Sequence, residues 1–376
     1  MNKHSHILIV GGGLAGLVSA IHLSQKGMHV VLIEKDTYPK HKVCGEYISN
    51  EVLPYFKYLD IDIDAISPVK ISKFKITTQT GNAIDSILPL GGFGISRFTL
   101  DKYLWDIAIQ NGVECINDKV VDISFEIERF RIDTVQNGRF TSDYVIGAYG
   151  KQSSLDKSLN RNFSDIKSPW LAVKMHYRAD INKETVALHN FEGGYCGLSM
   201  VENDAINACY LVHYDSFKRY KDIKVFQTEV LNKNPHLKEF YNTAVPLFEQ
   251  SITISQVNFQ KKKLVDKHIF MTGDAAGLIH PLCGNGMAMA IQSAQIISEL
   301  LIDNYSKTTS HSRKELENLY KKQWDAAFSK RMYTGRLLQK VLLNANMQEL
   351  SYTLASLLPS MVPKIIKQTH GNPILC

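Results

Sequence analysis

Nowhere in the 376 residues is there an apolar run of the roughly 18 residues that a membrane-crossing helix needs. The six cysteines, Cys44, Cys115, Cys196, Cys209, Cys283 and Cys376, stand singly with no CxxC pair. That argues against both a zinc site and a disulfide framework, and it suits free thiols in a reducing cytoplasm. Charge of one sign is missing from most of the chain. Residues 301–376 hold eleven Lys and Arg against five Asp and Glu, so the whole net charge of +6 lies in the last fifth. With no nucleic-acid-binding motif beside it, this balance argues against a nucleic-acid partner. No serine, histidine and acid fall at hydrolase spacing, and no cluster suits a metal, so none is expected. Internal repeats and low-complexity tracts are absent. What remains, 44% hydrophobic and 21% charged residues, is the composition of a globular chain long enough for more than one domain.

The glycines begin the positive argument. A Lys- and His-bearing start followed by ILIVGGGLAGLVSA imitates a signal peptide, but Gly11, Gly12 and Gly13 in succession would break its helix. They suit a phosphate turn. Residues 6–10 read as a buried strand leading into the GxGxxG of Gly11-Gly12-Gly13-Leu14-Ala15-Gly16. A helix is expected over 14–26, stopped by Gly27, then a second strand over 29–33 ending at Glu34. Gly11 permits the tight turn, Gly13 the approach of a pyrophosphate, and Gly16 close packing of helix on strand. The helix start offers free N–H groups and a positive dipole end to the phosphates. Glu34 can accept from ribose hydroxyls and would repel a 2′-phosphate, which favours FAD or NAD over NADP.

A second motif lies about 270 residues downstream. Residues 267–271 read as a strand ending in the turn Gly273-Asp274, followed by His280-Pro281-Leu282-Cys283-Gly284-Asn285-Gly286-Met287 and a helix over 288–301. Asp274 at the strand's carboxyl end can bond a ribitol hydroxyl. The Pro281-x-x-Gly284-x-Gly286 turn, with Met287, presents a helix start that can stabilise negative charge on a reduced flavin ring.

Four blocks in order, GGGLAG, Lys42-Val43-Cys44-Gly45-Glu46, Ser96-Arg97-Phe98-Thr99-Leu100-Asp101 and GDAAGLIHPLCGNGM, resemble the flavoprotein superfamily of aromatic hydroxylases (p-hydroxybenzoate hydroxylase type), geranylgeranyl reductases and flavin-dependent halogenases. The resemblance covers most of residues 5–300. It implies an α/β fold in which a discontinuous Rossmann-type FAD-binding domain (1–75, 95–155, 265–300) carries an antiparallel β-sheet substrate domain (76–94, 156–264) and C-terminal helices (301–376). It puts Arg97 beside the cofactor and Cys44-Gly45 beside the flavin. Lys35, Val120 and Gly150 complete the expected cofactor set. It departs from the pattern at Tyr149, where an Asp is expected, and around Tyr195, the one residue kept from the reductases' Tyr-x-Trp-x-Phe-Pro motif. The halogenases' Trp-x-Trp-x-Ile-Pro is absent as well.

Chemistry is expected from FAD, with NAD(P)H or another donor supplying electrons and the protein supplying orientation and a proton. Cys44, His280 and Tyr195 are the candidates for that proton. Three functions remain open. The first is reduction of a C=C bond in an apolar isoprenoid- or polyketide-like substrate. The others are monooxygenation of an aromatic or polyketide substrate, and a non-catalytic FAD-binding partner role. Between the motifs, strands are expected at 70–77, 82–88 and 120–140 (as a two-part meander), and residues 168–265 alternate as a β-sheet interrupted by a helix over 217–232. The C-terminal helices, broken near Pro359 and Pro363, place Arg331, Arg336, Lys340, Lys364 and Lys367 among leucines at helical spacing. Residues 331–367 are therefore a candidate peripheral membrane contact.

Overall fold

The computed structural model describes residues 3–306 and 311–375, so Cys376 lies outside the described residues. Two sheets organise it. The first runs, in spatial order, Val265–Asp266, Ile269–Met271, Arg139–Gly147, Lys3–Val10, Val30–Glu34 and Glu114–Asn117. Its last five strands pair in parallel, and helices Leu14–Gln25 and Gly286–Tyr305 pack on each other beside them. Continuous burial of Val30–Glu34 fits a strand covered on both faces. At the first turn, Gly11 has φ +107°, and a Cβ there would sit 2.5 Å from the Ala148 carbonyl oxygen. A Cβ on Gly16 would run into the Gly11 carbonyl oxygen, so strand and helix approach as closely as they do only because both are glycine.

The second sheet has nine strands and is built around Trp170–Arg178, Ala205–His213, Gly194–Val201 and Thr185–Phe191. It corrects the expectation in two ways. It is mixed rather than antiparallel, because Thr185–Phe191 pairs in parallel with Val69–Thr77. It also takes Tyr47–Ser49 and Val69–Thr77, which lie largely within the segment assigned by sequence to the FAD unit.

Other differences trace to turns without glycine. The meander has three strands, Val120–Glu126, Arg129–Thr134 and Arg139–Gly147. Its first turn is Ile127-Glu128, both left-handed at φ 49° and 57°, a hairpin turn usually signalled by Asn-Gly. The helix expected over 217–232 is instead Tyr214–Phe217 and Ile223–Glu229, divided at Lys221 with φ 58° and restarted by an Asp222 cap. A further helix, Pro235–Thr243, starts at the Asn234 cap, whose side chain accepts from His236 N. The C-terminal helices are Arg313–Leu342, Ala345–Leu357 and Met361–Thr369. The chain breaks at Pro359, but Pro363 sits inside the first turn of the last helix.

Candidate FAD site

All the candidate residues except Gly16 and His280 line a single cavity of about 1610 Å³ between the two sheets and the C-terminal helices. This exceeds the ~300–1,000 Å³ of an ordinary small-molecule site, so it has room for a dinucleotide and a second molecule. Gly16 is spent on packing, as described above. His280 is corrected: its ring lies outside the wall, against Phe259 (4.8 Å between centroids), Tyr195 (5.9 Å) and Trp170 (6.1 Å). Its Nδ1 caps Leu282 N at 3.4 Å, and burial pushes its pKa down to about 3. A neutral imidazole caged by aromatic rings and set back from the cavity wall favours a packing role, although its buried Nε2 has no partner.

At one end, Glu34 accepts from Gly12 N (2.6 Å) and Asp36 N (2.9 Å). The carboxylate thus braces the glycine turn and keeps lone pairs for a ribose hydroxyl. Arg97 donates to Asp101 through Nε (2.7 Å) and Nη2 (2.8 Å), and Lys42 Nζ joins that carboxylate at 2.8 Å. A Cβ built on Gly13 would clash with nothing and would make ordinary contacts with Arg97 Nη2 at 3.8 Å and the Ala148 carbonyl oxygen at 4.0 Å. The guanidinium therefore stands over the phosphate turn.

The fit to a dinucleotide rests on unspent donors at both ends. No side chain caps the helix that starts after Gly13, nor the one that starts after Asn285. Both first turns line the cavity, and the buried Asn285 Nδ2 has no partner. Two uncapped helix starts facing one cavity suit a ligand carrying negative charge at two separated places. Lys35, Val120 and Gly150 line the same cavity, as do Pro281, Gly284, Gly286 and Met287 around the second helix start; Gly273, with Asp274 after it, lies against the first helix, a Cβ on it meeting Ala15 Cβ at 3.0 Å.

Cys44 is half-buried on the cavity wall. Its loop is held peptide by peptide. The carbonyls of Lys42, Val43, Cys44 and Gly45 accept in turn from Lys174 Nζ (3.1 Å), Lys151 Nζ (3.2 Å), Asn207 Nδ2 (3.1 Å) and Ser199 Oγ (2.9 Å). Glu46, left-handed at φ 54° and fully buried, anchors the loop's end. It pairs with Lys174 Nζ and His176 Nε2 (2.7 Å) and accepts from Arg97 N (2.7 Å). Burial alone would raise the Glu46 pKa; Lys174 and His176 outweigh it and hold the carboxyl below its usual range. Glu46 thus serves as a buried structural carboxylate in a loop. Ligand atoms of His41, Glu46 and His176 lie within 4.8 Å of one another, but the Lys174 ammonium already supplies positive charge to that carboxylate. Lys174 and His176 gave no signal in the sequence beyond their place in an alternating strand.

The Tyr195 hydroxyl is buried without a partner on the cavity side of the second sheet, and burial keeps it protonated. Arg161, also missed by sequence, is buried and donates to Ala275 O at 3.0 Å, while Lys262 Nζ donates to Asp274 O at 2.8 Å. Both fix the Gly-Asp turn from behind.

A family model described as "FAD binding domain" matches residues 127–318, over half the chain, and another described as "FAD dependent oxidoreductase" matches residues 6–43. This chain is an FAD-dependent oxidoreductase. The flavoprotein is 22% identical to the chloroplastic geranylgeranyl diphosphate reductase of Nicotiana tabacum, over 92% of this chain and 76% of that one. It is 26% identical to digeranylgeranylglycerophospholipid reductase 1 of Methanosphaera stadtmanae, over 81% and 78%. Its fold matches the flavin-dependent brominase Bmp2 with a TM-score of 0.81 at 16% identity, covering 98% of this chain and 93% of that one. A flavoprotein/dehydrogenase from Cytophaga hutchinsonii matches at 0.78 and 17%, covering 92% and 87%. FAD is its cofactor, and the glycine turn, Arg97, Asp274 and the helix start at Gly286 line the cavity that could hold it.

Proposed function

We propose that this flavoprotein reduces a C=C bond in an apolar isoprenoid- or polyketide-like molecule. The far half of the cavity carries the reading. Phe74, Ile76 and Leu188 on the second sheet face Leu342, Val362 and Ile366 on the C-terminal helices. Among the described residues, no Asp, Glu, Lys or Arg of those strands and helices lines this part. Such a chamber suits the hydrocarbon part of a substrate rather than a charged group, and gains ~0.8 kcal/mol for each methylene buried. Two relatives named for reducing geranylgeranyl groups support the same reading.

FAD, when bound and reduced, supplies the hydride equivalent. The protein's part is to exclude water, orient the alkene and provide the proton. Cys44 is the group on the wall suited to give it, and its clamped loop fixes where the thiol stands. Tyr195, kept protonated by burial, would donate a hydrogen bond to the substrate in this reading; its unpartnered hydroxyl supports that.

The alternative is oxygen insertion into an aromatic or polyketide substrate, which the resemblance allows. One experiment decides between them. Holoprotein reduced with dithionite is given geranylgeranyl diphosphate or its glycerol ether without air, and the products are weighed by mass spectrometry. A gain of two hydrogens is expected, with Cys44→Ala slowing the step ~10²–10⁴-fold while keeping its FAD. Product that gains oxygen in air, with no saturation in its absence, would overturn the reductase reading. A fully active Cys44→Ala enzyme would return Cys44 to a packing role.

A further inference from the structure

The apolar chamber reaches a surface that the rest of the molecule leaves uncovered. On helix Ala345–Leu357, Leu350, Leu354 and Leu357 recur at i, i+4 and i+7 and are 60%, 49% and 72% exposed. Leu337 on the preceding helix and Leu358 beyond are about half exposed (52% and 53%). Ile365 belongs to both regions: it is 39% exposed and it lines the cavity. A soluble monomer seldom leaves so many large apolar side chains together in water.

The charge around them has one sign. Arg336, Lys340, Lys364 and Lys367 are exposed. From residue 330 to 375 the sole acid is Glu349, whose carboxylate is held by Thr80 Oγ1 (2.8 Å) and Asn82 Nδ2 (3.1 Å). Arg331 drops out of the set expected from sequence, because it is buried against Glu51 at 3.2 Å.

We propose that the end of helix Arg313–Leu342 and the two helices after it seat the enzyme on an anionic bilayer, with the chamber's mouth at Ile365 turned to the lipid. Exposed leucines rimmed by lysine and arginine form the pattern of an interfacial surface. A second copy of the chain is the weaker occupant. A two-fold contact sets a patch against itself and would bring basic rim against basic rim. The proposal deepens the reductase reading by naming where the apolar substrate is drawn from.

The test uses the FAD-loaded full chain and vesicles of phosphatidylcholine, with and without phosphatidylglycerol, sedimented at low and high salt. Binding is expected to the anionic vesicles alone and to fall with salt, as screening shortens to about 3 Å at 1 M. Lys364→Gln with Lys367→Gln should weaken it by about 25-fold, roughly five-fold for each charge. Leu354→Asp with Leu357→Asp should abolish it while melting temperature and flavin content hold. No binding, or equal binding to both vesicles, overturns the proposal. So does a dimer in sedimentation velocity that the aspartate variants dissolve, with no vesicle binding by the native chain. Binding is read without turnover, so an enzyme that binds anionic vesicles but saturates nothing sinks the reductase reading alone. One that saturates substrate without binding them sinks this one alone.

Discussion

Replacing Glu46 with glutamine removes one charge from the most enclosed ion cluster near the cavity. Glu46 and Lys174 are both fully buried, and the ammonium's other partner is the Lys42 carbonyl. The substituted amide can still accept from Arg97 N, so one hydrogen bond survives while the ammonium loses its counter-ion. Breaking a buried pair from one side costs about 3–5 kcal/mol, chiefly the desolvation of the stranded charge. The damage should also reach Cys44, because Lys174 holds the loop through the Lys42 carbonyl. Adding Lys174→Met removes the stranded charge, so the double variant should be more stable than Glu46→Gln alone. Urea unfolding of the FAD-loaded protein, followed by flavin fluorescence and circular dichroism together, measures both. A Glu46→Gln cost under about 1 kcal/mol, or a double variant no better than the single one, would refute the argument that an unpaired ammonium dominates.

Gly13→Val should fold and lose its cofactor. Gly13 has φ −81°, which any residue adopts, and a Cβ there makes only ordinary contacts, 3.8 Å to Arg97 Nη2 and 4.0 Å to the Ala148 carbonyl oxygen, so the added methyls take cavity space by the phosphate turn. Normal circular dichroism with little bound flavin is expected, and wild-type flavin content would place the phosphates elsewhere. His280→Phe should flatten the acid limb of stability and leave turnover intact. His280 titrates near pH 3 when folded and near 6.5 when unfolded. The unfolded chain alone therefore takes up its proton as pH falls below 6.5. That costs the fold about 1.4 kcal/mol per pH unit down to about pH 3, while above about 6.5 the term is constant. His22 and His189, lowered by burial to about 4 and about 3, act in the same direction and remain in the variant. Lost turnover with flavin retained would restore His280 to the chemistry.

The two glycine motifs were legible because each is a local rule. A strand, a turn that tolerates no Cβ and a helix start must be adjacent in sequence to work at all. The clamp around Cys44 was not legible, because its members, Lys174, Ser199 and Asn207 from three strands of the second sheet and Lys151 from a loop, meet only in the folded chain. His280 misled for the same reason. Its neighbours in sequence point to the flavin, while Trp170, Tyr195 and Phe259 from distant segments decide that its ring is caged. Strand boundaries failed where left-handed turns fall on Ile127-Glu128 rather than on glycine or asparagine.

Tyr149 shows how a departure from a motif can be absorbed. An aspartate expected at that point would have been a reason to doubt the site once lost. The tyrosine instead stands two residues beyond the end of the Arg139–Gly147 strand, with its hydroxyl 3.3 Å from Met271 Sδ and accepting from Arg161 Nη1 at 3.3 Å. Arg161 in turn pairs with Asp156 at 3.0 Å and donates to the Lys263 and Ala275 carbonyls. The tyrosine thus ties the end of the Arg139–Gly147 strand to the turn that carries Asp274, through an arginine that is itself 2% exposed. What is missing from the motif as a charge is present in the fold as a buried support for the cofactor turn. The change at Tyr149 is therefore no argument for a protein that merely carries FAD. The chain keeps both glycine turns, Arg97 and Asp274 around one cavity, which residues of the second sheet also line.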